Sequence, residues 1–207
     1  MTRHLSGTQP LAGVIDTTLN GEPVRLRLPA GYSDAHPVIV VVALEGADRF
    51  NQVGGLDPRG DLAAVPDAAG VAWLSGRWHG NSYGNADAMA DVRAAYEWVT
   101  SQISVSAFVL FGNSMGGVAA LNAVQRDVVP GVIGIYLTDP VTDLYQRFSA
   151  GSGSAMTNVR TAYGITNDSE YAAKTDGFDP MAAEWWRFRG LPMVVRGAAT
   201  DTTVPFA

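Results

Sequence analysis

Ala107-Phe108-Val109-Leu110-Phe111-Gly112-Asn113-Ser114-Met115-Gly116-Gly117-Val118-Ala119-Ala120-Leu121-Asn122-Ala123-Val124 changes character twice. The opening five residues are aromatic and β-branched without polar alternation, the pattern of a strand buried on both faces. From Val118 onward Ala and Leu dominate, and these favour helix. Gly112 to Gly117 therefore has room only for a sharp turn, with Ser114 at its apex and Gly112 and Gly116 relieving collisions with strand and helix. The amides of Met115 and Gly116 open the helix, so their N–H groups point toward developing negative charge. A GxSxG string alone arises by chance in Gly-rich turns; strand before and helix after give this one its weight as a nucleophile elbow. A phosphate-cradling loop fits poorly, because the Lys of GxxxxGK[ST] is missing and the spacing is not GxGxxG.

The rest of the chain supplies the sheet such a turn needs. Val14 to Leu19, Asn20-Gly21 and Val24 to Leu28 read as an antiparallel hairpin, with Arg25 and Arg27 on one wet face, as at the edge of a larger sheet. Val38 to Leu44 is uninterrupted aliphatic sequence, a central strand of a mainly parallel sheet. Val71 to Ser75 and Val132 to Leu137 are further buried strands, and Leu191 to Gly197 returns to the sheet. Ala86 to Ser101 carries Met89, Val92, Ala95, Tyr96 and Val99 at helical spacing, with Asp91, Arg93 and Glu97 mostly elsewhere on the wheel. Strand and helix alternating in this way predict an α/β fold: a mainly parallel, doubly wound sheet with helices on both faces, preceded by the hairpin. Residues 141–189 break into short helical pieces around Ser149 to Ser154 and read as a small cap inserted over the carboxyl edge of the sheet. No internal repeat or linker divides residues 1–207, so one domain is expected.

Composition narrows the function classes. The chain has 207 residues, 47% hydrophobic, enough for a single core. With 14 basic against 20 acidic residues the net charge is −6, which gives a nucleic-acid partner no support. There is no cysteine, hence no thiol nucleophile or thiolate metal site, and three scattered histidines lack ligand spacing. No metal or cofactor is expected. The amino terminus lacks the apolar region of a signal peptide, and Val38 to Leu44 is too short to span a bilayer. The expectation is a soluble protein, cytoplasmic by default, with no membrane span; its oligomeric state is left open.

Three segments in order resemble the α/β-hydrolase family over nearly the whole chain. Pro37 to Ala47 is similar to that family's third strand and oxyanion loop, Gly112 to Gly117 to its elbow, and Leu191 to Pro205 to the strand and turn that present the triad acid. The polar loop Gly80 to Asn85, before a helix containing Asp91, is similar to the esterase and serine-peptidase branches. The resemblance implies that Ser114 attacks a carbonyl while the amide of Met115 and one from the Gly46-Ala47 turn hold the oxyanion; losing one such donor costs about 3 kcal/mol of transition-state stabilisation. Where the family often has His-Gly, this chain has Glu45-Gly46, so Glu45 is expected to turn away or pair with Arg49. Asp201 is the implied acid, with Asp139 at the end of the preceding strand as its rival and a plain turn or strand terminator as the competing reading of each.

The histidine is the open position. The family's order is Ser, Asp, His, and no histidine follows Asp201. His4 and His36 read as solvated loop residues; His79 follows the strand ending at Ser75, on the same sheet edge as Ser114, and reads as a pocket residue or, less simply, the base. Trp78 is a further pocket candidate. The missing strand and helix predict a carboxyl-terminally incomplete chain with Leu191 to Gly197 as an apolar exposed edge. The reading is a serine esterase acting on a small ester or acyl substrate; the alternatives are a peptidase, lipase or acyltransferase using the same serine, or a hydrolase-like binding or scaffold module without turnover.

Overall fold

A computed structural model of the protein describes residues 13–44, 62–149 and 154–198. Seven strands form one sheet: β1 (Val14–Leu19), β2 (Glu22–Arg27), β3 (Val38–Leu44), β4 (Ala72–Gly76), β5 (Val105–Asn113), β6 (Val132–Thr138) and β7 (Met193–Arg196). Their order is β1-β2-β4-β3-β5-β6-β7. From β4 to β7 all pairings are parallel, whereas the β1–β2 hairpin and the β2–β4 pairing are antiparallel. The Asn20-Gly21 turn closes the hairpin with positive φ at both residues, 52° and 86°. β1 rather than β2 is the edge; β2 is paired on both sides, and its wet face comes from Arg25 and Arg27 pointing away from Val24 and Leu26.

Helices connect the parallel strands. The short α1 (Val65–Ala69) precedes β4, α2 (Ala86–Gln102) links β4 to β5, and α3 (Gly116–Gln125) links β5 to β6. Asn85 caps α2, its side chain accepting the Ala88 N–H at 3.1 Å. Strand alternation sorts the core onto two faces. Val40, Val42, Leu74, Leu110 and Leu137 pack with Met89, Val92, Val99, Ala120 and Ala123 of α2 and α3 into the main core. The intervening Ala43, Trp73 and Phe111 face the other way, with Tyr136 and Leu62 against them. No helix among the described residues is long and apolar enough to cross a membrane.

Between β6 and β7 lie α4 (Leu144–Ser149), α5 (Ser154–Tyr163), α6 (Tyr171–Lys174) and three single 3-10 turns. Leu144, Phe148, Val159, Tyr163, Ile165 and Tyr171 form their own apolar cluster, which takes in Tyr83 and Met115 from the body of the fold. β7 lies at one end of the described sheet, with Met193, Val194 and Val195 40%, 51% and 41% exposed.

Candidate active site

The β5–α3 connection has the geometry its sequence implies. Ser114 sits immediately after β5 with φ +54°, a conformation that side chains seldom adopt. Three backbone bonds hold it there: its N–H donates to the Thr138 carbonyl at 3.1 Å, and its own carbonyl accepts the N–H of Gly117 at 3.0 Å and of Val141 at 2.8 Å. The turn is close on both sides. A Cβ on Gly112 would lie 2.7 Å from the Gly116 carbonyl oxygen, and one on Gly117 would lie 2.6 Å from Pro140 Cβ. The tight approaches thus fall at Gly112 and Gly117.

The amide of Met115 is the next element of the site. Met115 is the N-cap of α3, its side chain is buried, and among the described residues no acceptor takes its N–H. A helix-opening N–H without an acceptor among the described residues can receive negative charge, and the neighbouring Ser114 is half-buried. The Ser114 hydroxyl likewise has no hydrogen-bond partner among the described residues. Gly46, Ala47 and Asp201 lie outside the described residues, as do Glu45 and Arg49.

Asp139 follows β6 directly, with φ +42°. Its N–H donates to the Arg196 carbonyl at 2.7 Å, and its Oδ1 accepts the Ala198 N–H at 2.9 Å. The carboxylate therefore fastens the chain leaving β7, three residues before Asp201. His36 is exposed just before the amino end of β3, hydrogen-bonded to Ser33 Oγ at 3.1 Å, whereas Ser114 follows the carboxyl end of the parallel β5.

His79 is partnered elsewhere than Ser114. Its Nδ1 lies 2.5 Å from Asp91 Oδ2, and Asp91, 1% exposed, also accepts from Asn20 Nδ2 at 3.1 Å through Oδ1. The Asp91 hydrogen bond raises the His79 pKa above its ordinary value, partly opposed by desolvation. Asp91 is the residue sequence reasoning misplaced: it is buried on the α2 stripe of Ala88, Val92, Ala95 and Val99 rather than on the wet face. Its spacing contained the signal, three residues after Ala88 and four before Ala95. Trp78 is a core residue, 3% exposed, whose indole N–H donates to the Ala43 carbonyl at 2.8 Å.

Sequence comparison finds no matching family model and no matching curated protein. Structures do match. A thermophilic esterase from Thermogutta terrifontis superposes with a TM-score of 0.60 at 20% identity, covering 94% of this chain and 74% of that one. A lipase/esterase from Lactobacillus plantarum gives 0.62 at 20% identity, covering 93% and 82%. A further structure, Thermogutta terrifontis esterase 2 phosphoramylated by tabun, gives 0.58 at 19% identity, covering 96% and 76%.

The fold is that of the α/β-hydrolases.

At these identities the likeness is one of fold. It accounts for the α/β-hydrolase sheet order and for the position of the β5–α3 turn, while the chemistry of the turn has to be argued from its own residues.

Proposed function

We propose that this chain is a serine hydrolase that cleaves carboxylic esters through an acyl-enzyme on Ser114. The observation that carries the proposal is the left-handed Ser114 at the β5–α3 turn, followed by a Met115 N–H that has no acceptor among the described residues. Ser114 Oγ gives up its proton as it bonds to the ester carbonyl carbon, the bond from that carbon to the alkoxy oxygen breaks and the alcohol leaves carrying the proton. Water then cleaves the acyl–Oγ bond, releasing the acid and restoring the Ser114 hydroxyl. The oxyanion is held by the Met115 amide and by a second donor from Gly46-Ala47, which follow β3 in sequence. Asp201 serves as the acid that orients the base, with Asp139 as the alternative. The α4–α6 segment, residues 141–189, would act as a cap shaping the site, since its aromatic cluster includes Met115. The esterase names of the fold neighbours, one of them captured with an organophosphate, agree with this class.

One observation favours a second reading. No described histidine hydrogen-bonds Ser114, and His79 is engaged with Asp91. A hydrolase-like module that binds an acyl ligand without turning it over would have this arrangement. Hydrolysis of p-nitrophenyl acetate separates the two. The esterase reading expects a burst of nitrophenolate that Ser114→Ala abolishes; turnover unchanged in Ser114→Ala, or none in the folded wild type, contradicts it.

A further inference from the structure

The loop between β4 and α2, residues 77–85, is fixed far more firmly than a surface connection requires. Its backbone is left-handed at Trp78 (φ 47°), His79 (59°), Gly80 (61°), Tyr83 (48°) and Gly84 (66°). Three of these five carry side chains, and such a conformation persists only where the surroundings impose it.

Those surroundings all lead toward the elbow. The Trp78 indole donates to Ala43, next to Leu44, the β3 residue in register with Gly112. Tyr83 shares the apolar cluster of Met115 and accepts through its carbonyl from the Tyr163 hydroxyl at 2.9 Å. Gly84 lies so close to α3 that a Cβ would sit 2.8 Å from Ala119 Cα, and its carbonyl accepts from Asn122 of α3 at 3.0 Å. In the middle of this span stands His79, joined to the buried Asp91 carboxylate.

We propose that His79 is a positioning residue: its bond to Asp91 latches the 77–85 loop in its left-handed form, and the loop in turn sets β3 and α3 on either side of Ser114. The proposal rests on the reading of Ser114 as the nucleophile. The charged groups facing His79 are Asp91 and Asp87 from α2 and Glu22 from β2; Arg77, beside it in the loop, pairs with Glu22 at 3.7 Å. An Nδ1–H donor is what the latch requires, not a proton acceptor at Nε2.

The test is the rate at which a fluorophosphonate labels Ser114 in the full chain, compared across wild type, His79→Ala, His79→Gln and Trp78→Phe. His79→Ala is expected to label about tenfold more slowly, as small displacements of a nucleophile do. His79→Gln keeps an N–H donor for Asp91 but cannot act as a base, and is expected to restore most of the rate. Trp78→Phe, which keeps an aromatic ring and loses the bond to Ala43, is expected to slow labelling several-fold, roughly in the same range.

A wild-type rate in His79→Ala or in Trp78→Phe overturns the proposal. So does a His79→Gln rate as low as that of His79→Ala, since that outcome makes the imidazole itself the base. If the wild-type serine takes no label, it is the nucleophile reading that fails, and amide hydrogen exchange at Gly117 and Val141, whose N–H groups bond the Ser114 carbonyl, then decides the positioning claim. Exchange faster in His79→Ala but not in His79→Gln supports the latch; exchange unchanged in His79→Ala overturns it.

Discussion

At Ser114 the backbone carries more information than the side chain. Two glycines make the left-handed serine possible, because a methyl group at either would meet a wall within 2.7 Å. Gly117→Ala is therefore expected to destabilise the fold by about 1–3 kcal/mol, the cost of overpacking a close contact. Gly134→Ala in β6, whose nearest neighbour would be an ordinary 3.5 Å away, is expected to be near neutral in the same urea titration. His79 makes a pH prediction at this scale. Its pKa is raised in the folded state by the Asp91 hydrogen bond, so the stabilisation is fully present below the unfolded value near 6.5 and is lost as pH rises through the higher folded value. His79→Gln should remove that dependence: thermal midpoints of wild type and variant should converge as pH rises from 6 toward 9. The motif was legible at this scale because a strand, a glycine-flanked serine and a helix follow one another in sequence. The His79–Asp91 pair was not, because the place of Asp91 on the apolar stripe of α2 signals burial without naming a partner, and only the fold brings His79 and Asn20 to its carboxylate.

At the scale of elements, the central strands β3 and β4 were readable because each carries an apolar run without polar alternation, the pattern of burial on both faces. The α4–α6 segment was legible as short helical pieces but not in how they are attached. That attachment depends on polar bonds across long sequence separations. Asn122, fully buried on α3, donates to the carbonyls of Gly84 and Phe178 and accepts from Gln125 Nε2 at 2.6 Å. Arg126 lies 4.0 Å over the Phe178 ring, and Tyr171 donates to Asp179 at 2.7 Å. Asn122→Ala leaves the buried Gly84 carbonyl and the part-buried Phe178 carbonyl without this donor and is expected to cost about 1–3 kcal/mol. The loss should be local first: limited proteolysis should cut the variant within residues 164–190 faster than wild type, while the sheet strands stay protected. Equal cleavage rates would show that Asn122 does not hold this segment.

At the scale of the whole molecule, the carboxyl ends of β3, β4, β5 and β6 converge on one edge of the sheet, and the elbow stands among them. The oxyanion turn at Gly46-Ala47 and the acid Asp201 were proposed from order along the chain and lie outside the described residues, so the elbow is the part of the site that geometry itself supports. The α/β class was legible because apolar strands alternate with helical segments, whereas the strand order was not; no base was legible, because the resemblance places the histidine after Asp201 and no histidine follows Asp201 in this sequence. The central claim, that Ser114 is a nucleophile, is tested most directly by treating the folded 207-residue chain with a fluorophosphonate and mapping the adduct by peptide mass spectrometry. A single adduct on the peptide containing Ser114, absent in Ser114→Ala, is the result expected; a folded protein whose Ser114 remains unmodified would contradict the account.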